Sequence, residues 1–241
     1  MEIIIIFTLK LLTELVLMFS VLLVFIIIYL IYCIFSIQHS LFIRSLCRVK
    51  TTEKIVFLSF DDGPSSQFTA EILDELKRRD IKAVFFCIGN HAESSPGLVK
   101  RIVEEGHLIG NHTYSHDWAL TLKSSHEFEN ELEKAETAIK SIIGREVNLF
   151  RPPFGVTNPS IAKAVKKRNL LSIGWDIRSL DTVITDPDKL RRRIIRKLRP
   201  GSIILLHDNR CITSLILSEL IDDIESNGYK IVPLKPYLSL N

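Results

Sequence analysis

The chain is 241 residues long, 46% hydrophobic and 24% charged, with a formal net charge of +3 and a mean hydropathy of +0.20. That apolar content excludes an intrinsically disordered chain, and so mild a basic excess gives no argument for nucleic acid as a partner. The cysteines, Cys33, Cys47, Cys87 and Cys211, show no CxxC spacing, which excludes a zinc finger, a thiol redox motif and a disulfide framework.

Taken in chain order, the first feature is a stretch without charge. Residues 15–37 carry no Asp, Glu, Lys or Arg. At a helical rise of about 1.5 Å per residue that run crosses a hydrocarbon core of about 30 Å. It ends in Tyr32-Cys33-Ile34-Phe35, without the small residues of a signal-peptidase site, so we expect a retained transmembrane helix in an anchor spanning 1–43. Residues 44–54 read as a basic linker. Residues 55–241 are long enough for one domain with a substantial core and too short for two.

Within that domain, short apolar runs at 55–60, 83–88, 107–110, 148–150, 170–175, 202–206 and 229–232 read as strands. Between them, 67–79, 97–105, 126–143, 159–168, 187–198 and 213–225 read as helices. Strands too apolar to alternate, each but the last followed by a helix, predict an α/β fold with a parallel sheet, open or closed into a barrel. The polar residues favour the barrel, because they follow several different strands: Asp61 and Asp62 the first, His112 and His116 the third, Arg151 the fourth, Asp181 the fifth and His207 the sixth. The basic run 191–199 is the solvated face of a helix, since Leu190, Ile194, Ile195 and Leu198 share one side of it.

Two motifs carry chemistry. In Asn111-His112-Thr113-Tyr114-Ser115-His116 the imidazoles stand four apart and can converge on one divalent ion from a helical turn or a tight loop; alone, the spacing is weak. In Ser59-Phe60-Asp61-Asp62-Gly63-Pro64 two carboxylates stand at the mouth of a buried strand, where they need a cation or a basic partner. A turn with a helix cap would account for the second motif by itself. Together they offer one carboxylate and two imidazoles, with an open position for water, which is the pattern of catalytic zinc. Such a metal lowers the pKa of water from about 15.7 to about 7, and Asp61 would take the proton. Arg151, ahead of Pro152-Pro153, can keep Asp61 ionised, and His207 can protonate a leaving amine. His39, His91, His107 and His126 match no motif and read as structural or solvated.

In order and over nearly the whole domain, these segments resemble the polysaccharide deacetylase family, the NodB-homology domain of carbohydrate esterase family 4. The resemblance implies a distorted (β/α) barrel of about seven repeats and metal-dependent N-deacetylation of N-acetylglucosamine-type sugars. It implies Asp61 as base, Asp62, His112 and His116 as ligands of a divalent ion, Zn2+ by default, and Arg151 as the residue that orients the base. It also implies Phe154 as an oxyanion donor, Leu205 as a wall of the acetyl pocket, His207 as acid and Asp181 as its partner. The fourth motif departs from the family's D-x-x-D-W: the chain reads Arg178-Ser179-Leu180-Asp181-Thr182, losing the first aspartate and the tryptophan. One wall of the sugar groove goes with that tryptophan; Trp118 and Trp175 are the candidates to stack on a sugar in its place, with a core role the stronger reading for Trp175.

The expected partners are therefore the membrane and an N-acetylated cell-envelope glycan. A lipid-linked amino sugar deacylated or deformylated at the membrane surface, and a non-catalytic glycan-binding protein, are the competing readings. Arg44, Arg48, Lys50 and Lys54 follow the span while Glu2, Lys10 and Glu14 precede it, a bias that points the domain into the cytoplasm. An envelope glycan points it outside. Weighing the two, we expect a single-pass plasma-membrane protein with an extracytoplasmic domain.

Overall fold

The N-terminal apolar run folds as one helix, α1 (Glu2–Phe35), in the computed structural model, which describes residues 1–240. Starting well before residue 15, it reaches about 51 Å at about 1.5 Å per residue. Its large apolar side chains from Ile5 to Tyr32 are exposed, and it is long and apolar enough to cross a membrane. Two hydroxyls inside it are satisfied locally, as a lipid surrounding would require: Thr13 Oγ1 donates to Lys10 O (2.7 Å) and Ser20 Oγ to Val16 O (2.8 Å). The last turn differs. Cys33 is buried, and the carbonyls of Cys33 and Ile34, orphaned at a helix end, accept from Thr157 Oγ1 (3.3 Å) and Thr157 N (2.9 Å).

The sheet is parallel throughout. Its central strand, β1 (Ile55–Asp61), is buried along its whole length. With β2 (Val84–Cys87), β3 (Leu108–Asn111), β4 (Leu149–Phe150), β5 (Leu171–Ser172), β6 (Ile177–Arg178) and β7 (Ser202–His207), the order is β5-β4-β3-β2-β1-β7-β6. A last strand, β8 (Lys230–Ile231), pairs with Ile55 and Val56 of β1, on the edge that β2 occupies further along. Around the sheet lie α2 (Phe68–Arg78), α3 (Gly89–Ser94), α4 (Pro96–Glu104), α5 (Ser125–Ile143), α6 (Pro159–Lys167), α7 (Pro187–Ile195) and α8 (Cys211–Ser226).

β5 and β6 are opposite edges of this order, yet residues 173–176 alone join them. Five Cα steps reach at most about 17 Å, so the sheet curls until its edges nearly meet. The result is the distorted (β/α) barrel expected from the sequence. Residues 43–49 fill the seam: Leu46 bridges Ile173, Arg48 bridges Ser202, and Ile43, Leu46 and Val49 are buried. The stretch expected as a linker thus begins as part of the barrel wall, its apolar residues inward and Arg44, Arg48 and Lys50 exposed. The strand expected at 170–175 stops at Ser172, and β6 is an additional short strand.

Period-two alternation along β1 positions the site. Val56, Leu58 and Phe60 face the helices, packing with Leu73, Leu76, Phe85 and Leu206. Ile55 and Phe57 face the barrel interior with Val84, Phe86 and Ile203, and the Tyr237 ring closes that end edge-on to Phe57 at 5.2 Å. The same inward face therefore continues to Ser59 and Asp61, which lie buried at the other end of the barrel.

Candidate active site

Asp61 ends β1 inside the barrel, where an unpaired carboxylate would be costly. Arg151, fully buried after β4, supplies the partner: Nη1 donates to Asp61 Oδ1 (2.7 Å) and to Ser59 Oγ (2.9 Å). Its other nitrogens donate to the carbonyls of Ile173 (3.0 Å) and Gly174 (2.8 Å), and the guanidinium lies 4.1 Å from the centre of the Phe86 ring. Burial pulls the Arg151 pKa down against the charge of Asp61. A guanidinium nonetheless stays protonated, so Asp61 keeps a permanent cation beside it.

One residue on, the chain turns. Asp62 adopts a left-handed conformation (φ 72°), which swings its carboxylate toward the loop after β3. Glycine suits position 63, since a Cβ there would lie 2.0 Å from the Asp208 carboxylate and would force it to shift. His91, read from sequence as structural, has its Nδ1 3.0 Å from Asp62 O and so braces this turn.

His112 and His116 sit on that loop, whose Thr113 (φ 66°) and His116 (φ 53°) are left-handed, so the histidines converge from a tight loop rather than a helix. Their Nε2 atoms lie 3.5 and 3.4 Å from Asp62 Oδ1. His112 Nδ1 is 2.8 Å from Arg151 O; a carbonyl only accepts, so Nδ1 carries the proton and Nε2 presents a lone pair to the centre. Burial pushes the Asp62 carboxyl up, but the hydrogen bond and charge of His112, with His207 and His116, outweigh it and hold the group well below the usual carboxylate range. Burial and His112 push His116 down to about 4. At neutral pH Asp62 is an anion and His116 is neutral, the states a metal requires.

The three donor atoms lie within 4.8 Å of one another; among the described residues no other group of His, Cys, Asp and Glu does so. One carboxylate oxygen and two imidazole nitrogens, two of them preset in the binding protonation state, fit a divalent ion of the zinc type. Asp61 stands beside the cluster, its Oδ2 3.8 Å from His112 Nε2.

Across the cavity, His207 ends β7. Its Nδ1 bonds Asp181 Oδ1 at 2.7 Å, while Asp181 Oδ2 accepts from His207 N and Thr213 Oγ1, both at 2.7 Å. Burial pulls the His207 pKa down, but the Asp181 bond and charge, aided by Asp61 and Asp62, raise it overall. Nε2 is the ring nitrogen left for another partner. Phe154 (φ 60°), Trp175 and Leu205 wall the cavity, about 240 Å³ in volume, and Arg178, Thr182 and Arg210 complete its mouth. Trp118 stands edge-on to Phe154 at 5.0 Å and half exposed; Trp175 is buried yet reaches the cavity.

Sequence reasoning passed over Asp208. It is fully buried beneath Gly63, bonded by Thr69 Oγ1 (2.7 Å), and burial pushes its carboxyl up to about 7. Its place directly after His207, at the end of a buried strand, was the available signal. Arg210 likewise matched no motif.

Fold and constellation together define an α/β-barrel protein with a carboxylate–imidazole centre at the C-terminal ends of its strands. Residues 48–172 match the family model described as Polysaccharide deacetylase, and the chain belongs to that family. It is 38% identical over 152 residues to a peptidoglycan-N-acetylglucosamine deacetylase of Bacillus cereus, an alignment covering 63% of this chain and 55% of that protein. The chain thus spans about half the length of that relative. It is 32% identical to the peptidoglycan-N-acetylmuramic acid deacetylase PdaA of Bacillus subtilis, over 74% of this chain and 69% of the relative. Among solved structures it superposes on a carbohydrate esterase family 4 pseudoenzyme from Bacillus anthracis with a TM-score of 0.75 and 28% identity, over 81% of this chain and 69% of the other. A pseudoenzyme on the same fold means that activity has to be argued from side chains.

Proposed function

We propose that the chain is a membrane-anchored hydrolase that removes the N-acetyl group from N-acetylglucosamine-type residues of a cell-envelope glycan. The observation that carries this reading is a base and an acid with opposed surroundings on two sides of one ligand cluster. Asp61 is paired with a permanent cation, and His207 is paired with a carboxylate. The names of the relatives supply the substrate class.

Asp62, His112 and His116 would hold the divalent ion, which supplies a Lewis acid for the acetamide carbonyl and a water of lowered pKa. The protein's own groups do the rest. Arg151 ties up Oδ1 of Asp61 and leaves Oδ2 to accept a proton from the attacking water. His207, its Nδ1 fixed on Asp181, donates from Nε2 to the departing amine nitrogen. Leu205 and Trp175 form an apolar wall suited to the acetyl methyl, and the Phe154 amide is assigned to the carbonyl oxygen as the developing charge appears. We assign residues 1–43 to the anchor and 55–241 to the catalytic domain, placed outside the plasma membrane.

The test is acetate release from N-acetylglucosamine oligomers and peptidoglycan by the zinc-loaded full chain. Asp61→Asn should lower the rate by at least about 100-fold, the usual worth of a positioned general base, while zinc stoichiometry stays at that of the wild type. A loaded protein that releases acetate from no N-acylated amino sugar would refute the reading.

A further inference from the structure

Arg178 and Arg210 stand exposed at the mouth of the candidate cavity, and among the described residues neither guanidinium has a hydrogen bond or an ion pair. Arg178 pairs in register with Leu205, so both side chains stand on the same face of the sheet and the arginine lies beside the apolar wall of the site. Arg210 follows His207 by three residues, immediately before α8. The carboxylates of the site already have other partners. Asp61 is held by Arg151, Asp62 Oδ1 lies 3.5 and 3.4 Å from the Nε2 atoms of His112 and His116, and Asp181 is filled by His207, Ser179 and Thr213. Two cations therefore line the cavity without an ion pair among the described residues.

We propose that Arg178 and Arg210 form an anion subsite, and that the substrate is an amino sugar bearing an anionic group, a phosphate ester or a carboxylate, next to the acetamide. The inference rests on the deacetylase reading for its chemistry but concerns which sugar is chosen. Guanidinium groups suit both anions through paired N–H donors. The anchor favours phosphate. The end of α1 is fixed to the same wall, with Ile37 packed on Trp175 and Leu205, Gln38 Nε2 donating to Trp175 O (3.1 Å) and Asp176 O (3.2 Å), and Thr157 capping the helix. A cavity held this close to the base of the span is placed to meet a sugar phosphate carried by a membrane lipid.

The experiment compares kcat/KM for acetate release from N-acetylglucosamine 1-phosphate, N-acetylmuramic acid and neutral N,N′-diacetylchitobiose, using zinc-loaded full-length protein in detergent. The wild type should prefer at least one anionic substrate. Arg178→Ala with Arg210→Ala should cut the anionic-to-neutral ratio by about 10- to 100-fold, chiefly through KM, as loss of charge-assisted hydrogen bonds predicts. Preference for the phosphate identifies a phosphate ester as the anion, and preference for the muramic acid identifies a carboxylate. Equal use of all three substrates, or an equal fall on all three in the double variant, overturns the proposal. Calorimetry on Asp61→Asn protein separates this failure from failure of the deacetylase reading. Binding of N-acetylglucosamine 1-phosphate that is lost when both arginines are replaced upholds the subsite even if the wild type hydrolyses nothing. Equal affinity with and without the arginines removes it.

Discussion

Replacing Asp181 by Asn removes one charge at a defined place, 2.7 Å from His207 Nδ1. That carboxylate accepts four donors: His207 N and Nδ1, Ser179 Oγ and Thr213 Oγ1. An amide has one acceptor oxygen, and its NH2 can face Nδ1 only if the imidazole is neutral. Loss of a charge-assisted bond is worth about 1.5–3 kcal/mol, so the protonated form of His207 loses about 10- to 100-fold in weight near neutrality. The assay is kcat/KM for acetate release as a function of pH. Its alkaline limb, where the acid loses its proton, should move to lower pH, and the rate above pH 7 should fall by about the same factor. Stability should respond on both flanks. His207 has a raised folded pKa, so its contribution is full below the unfolded value and is lost as pH rises through the folded one. Asp181 has a lowered folded pKa, so its contribution is present above the unfolded value and lost as pH falls through the folded one. The variant should flatten both flanks. A folded Asp181→Asn protein with an unmoved alkaline limb would show that His207 is not the acid.

Four further outcomes are expected. His116, pushed down to about 4, is already neutral at pH 5, so zinc affinity should change little on account of this ligand between pH 7 and 5 and collapse near pH 4, measurable by competition with a chromophoric chelator. Between about pH 6.5 and that value the unfolded chain binds a proton the folded metal-free chain does not, so this residue's share of stability should decline as pH falls through the window, visible in the thermal midpoint. Gly63→Ala would drive a methyl into the Asp208 carboxylate, and a cost of about 1–3 kcal/mol with weakened zinc binding should appear in urea titration and metal analysis. A reporter enzyme active only outside the cytoplasm, fused behind the C-terminus, should be active if the domain lies outside; inactivity would favour the orientation suggested by the basic residues after the span.

A parallel α/β sheet was legible in the order of apolar runs, and its closure into a barrel only in the polar residues that follow several different strands. Its register was not. β5 and β6 have two residues each, shorter than any periodic signal, and they are recognised by their neighbours rather than by themselves. Arg44, Arg48 and Lys50 made 44–54 read as linker because charge was counted without asking which way each residue points, and the seam takes the intervening apolar side chains. At the candidate site, Asp62, His112 and His116 were readable because ligand chemistry restricts residue type. The backbone that brings them together was not, since left-handed Asp62, Thr113 and His116 carry no glycine signature. His91 and Asp208 act on that backbone from behind, and residues whose task is to hold a turn have no spacing rule that announces them.

One guanidinium links the architecture to the chemistry. Arg151 bonds Asp61 on β1, and through Ile173 and Gly174 it bonds the short link that draws the two edges of the sheet together. Its own carbonyl fixes the His112 ring. Barrel closure, orientation of Asp61 and the tautomer of His112 are thus set at one residue. The desolvation of a buried cation is offset only while all of these partners are present. A lysine there keeps the charge but has no planar fork to reach Asp61 and the two carbonyls at once, so closure and catalysis would fail together rather than separately.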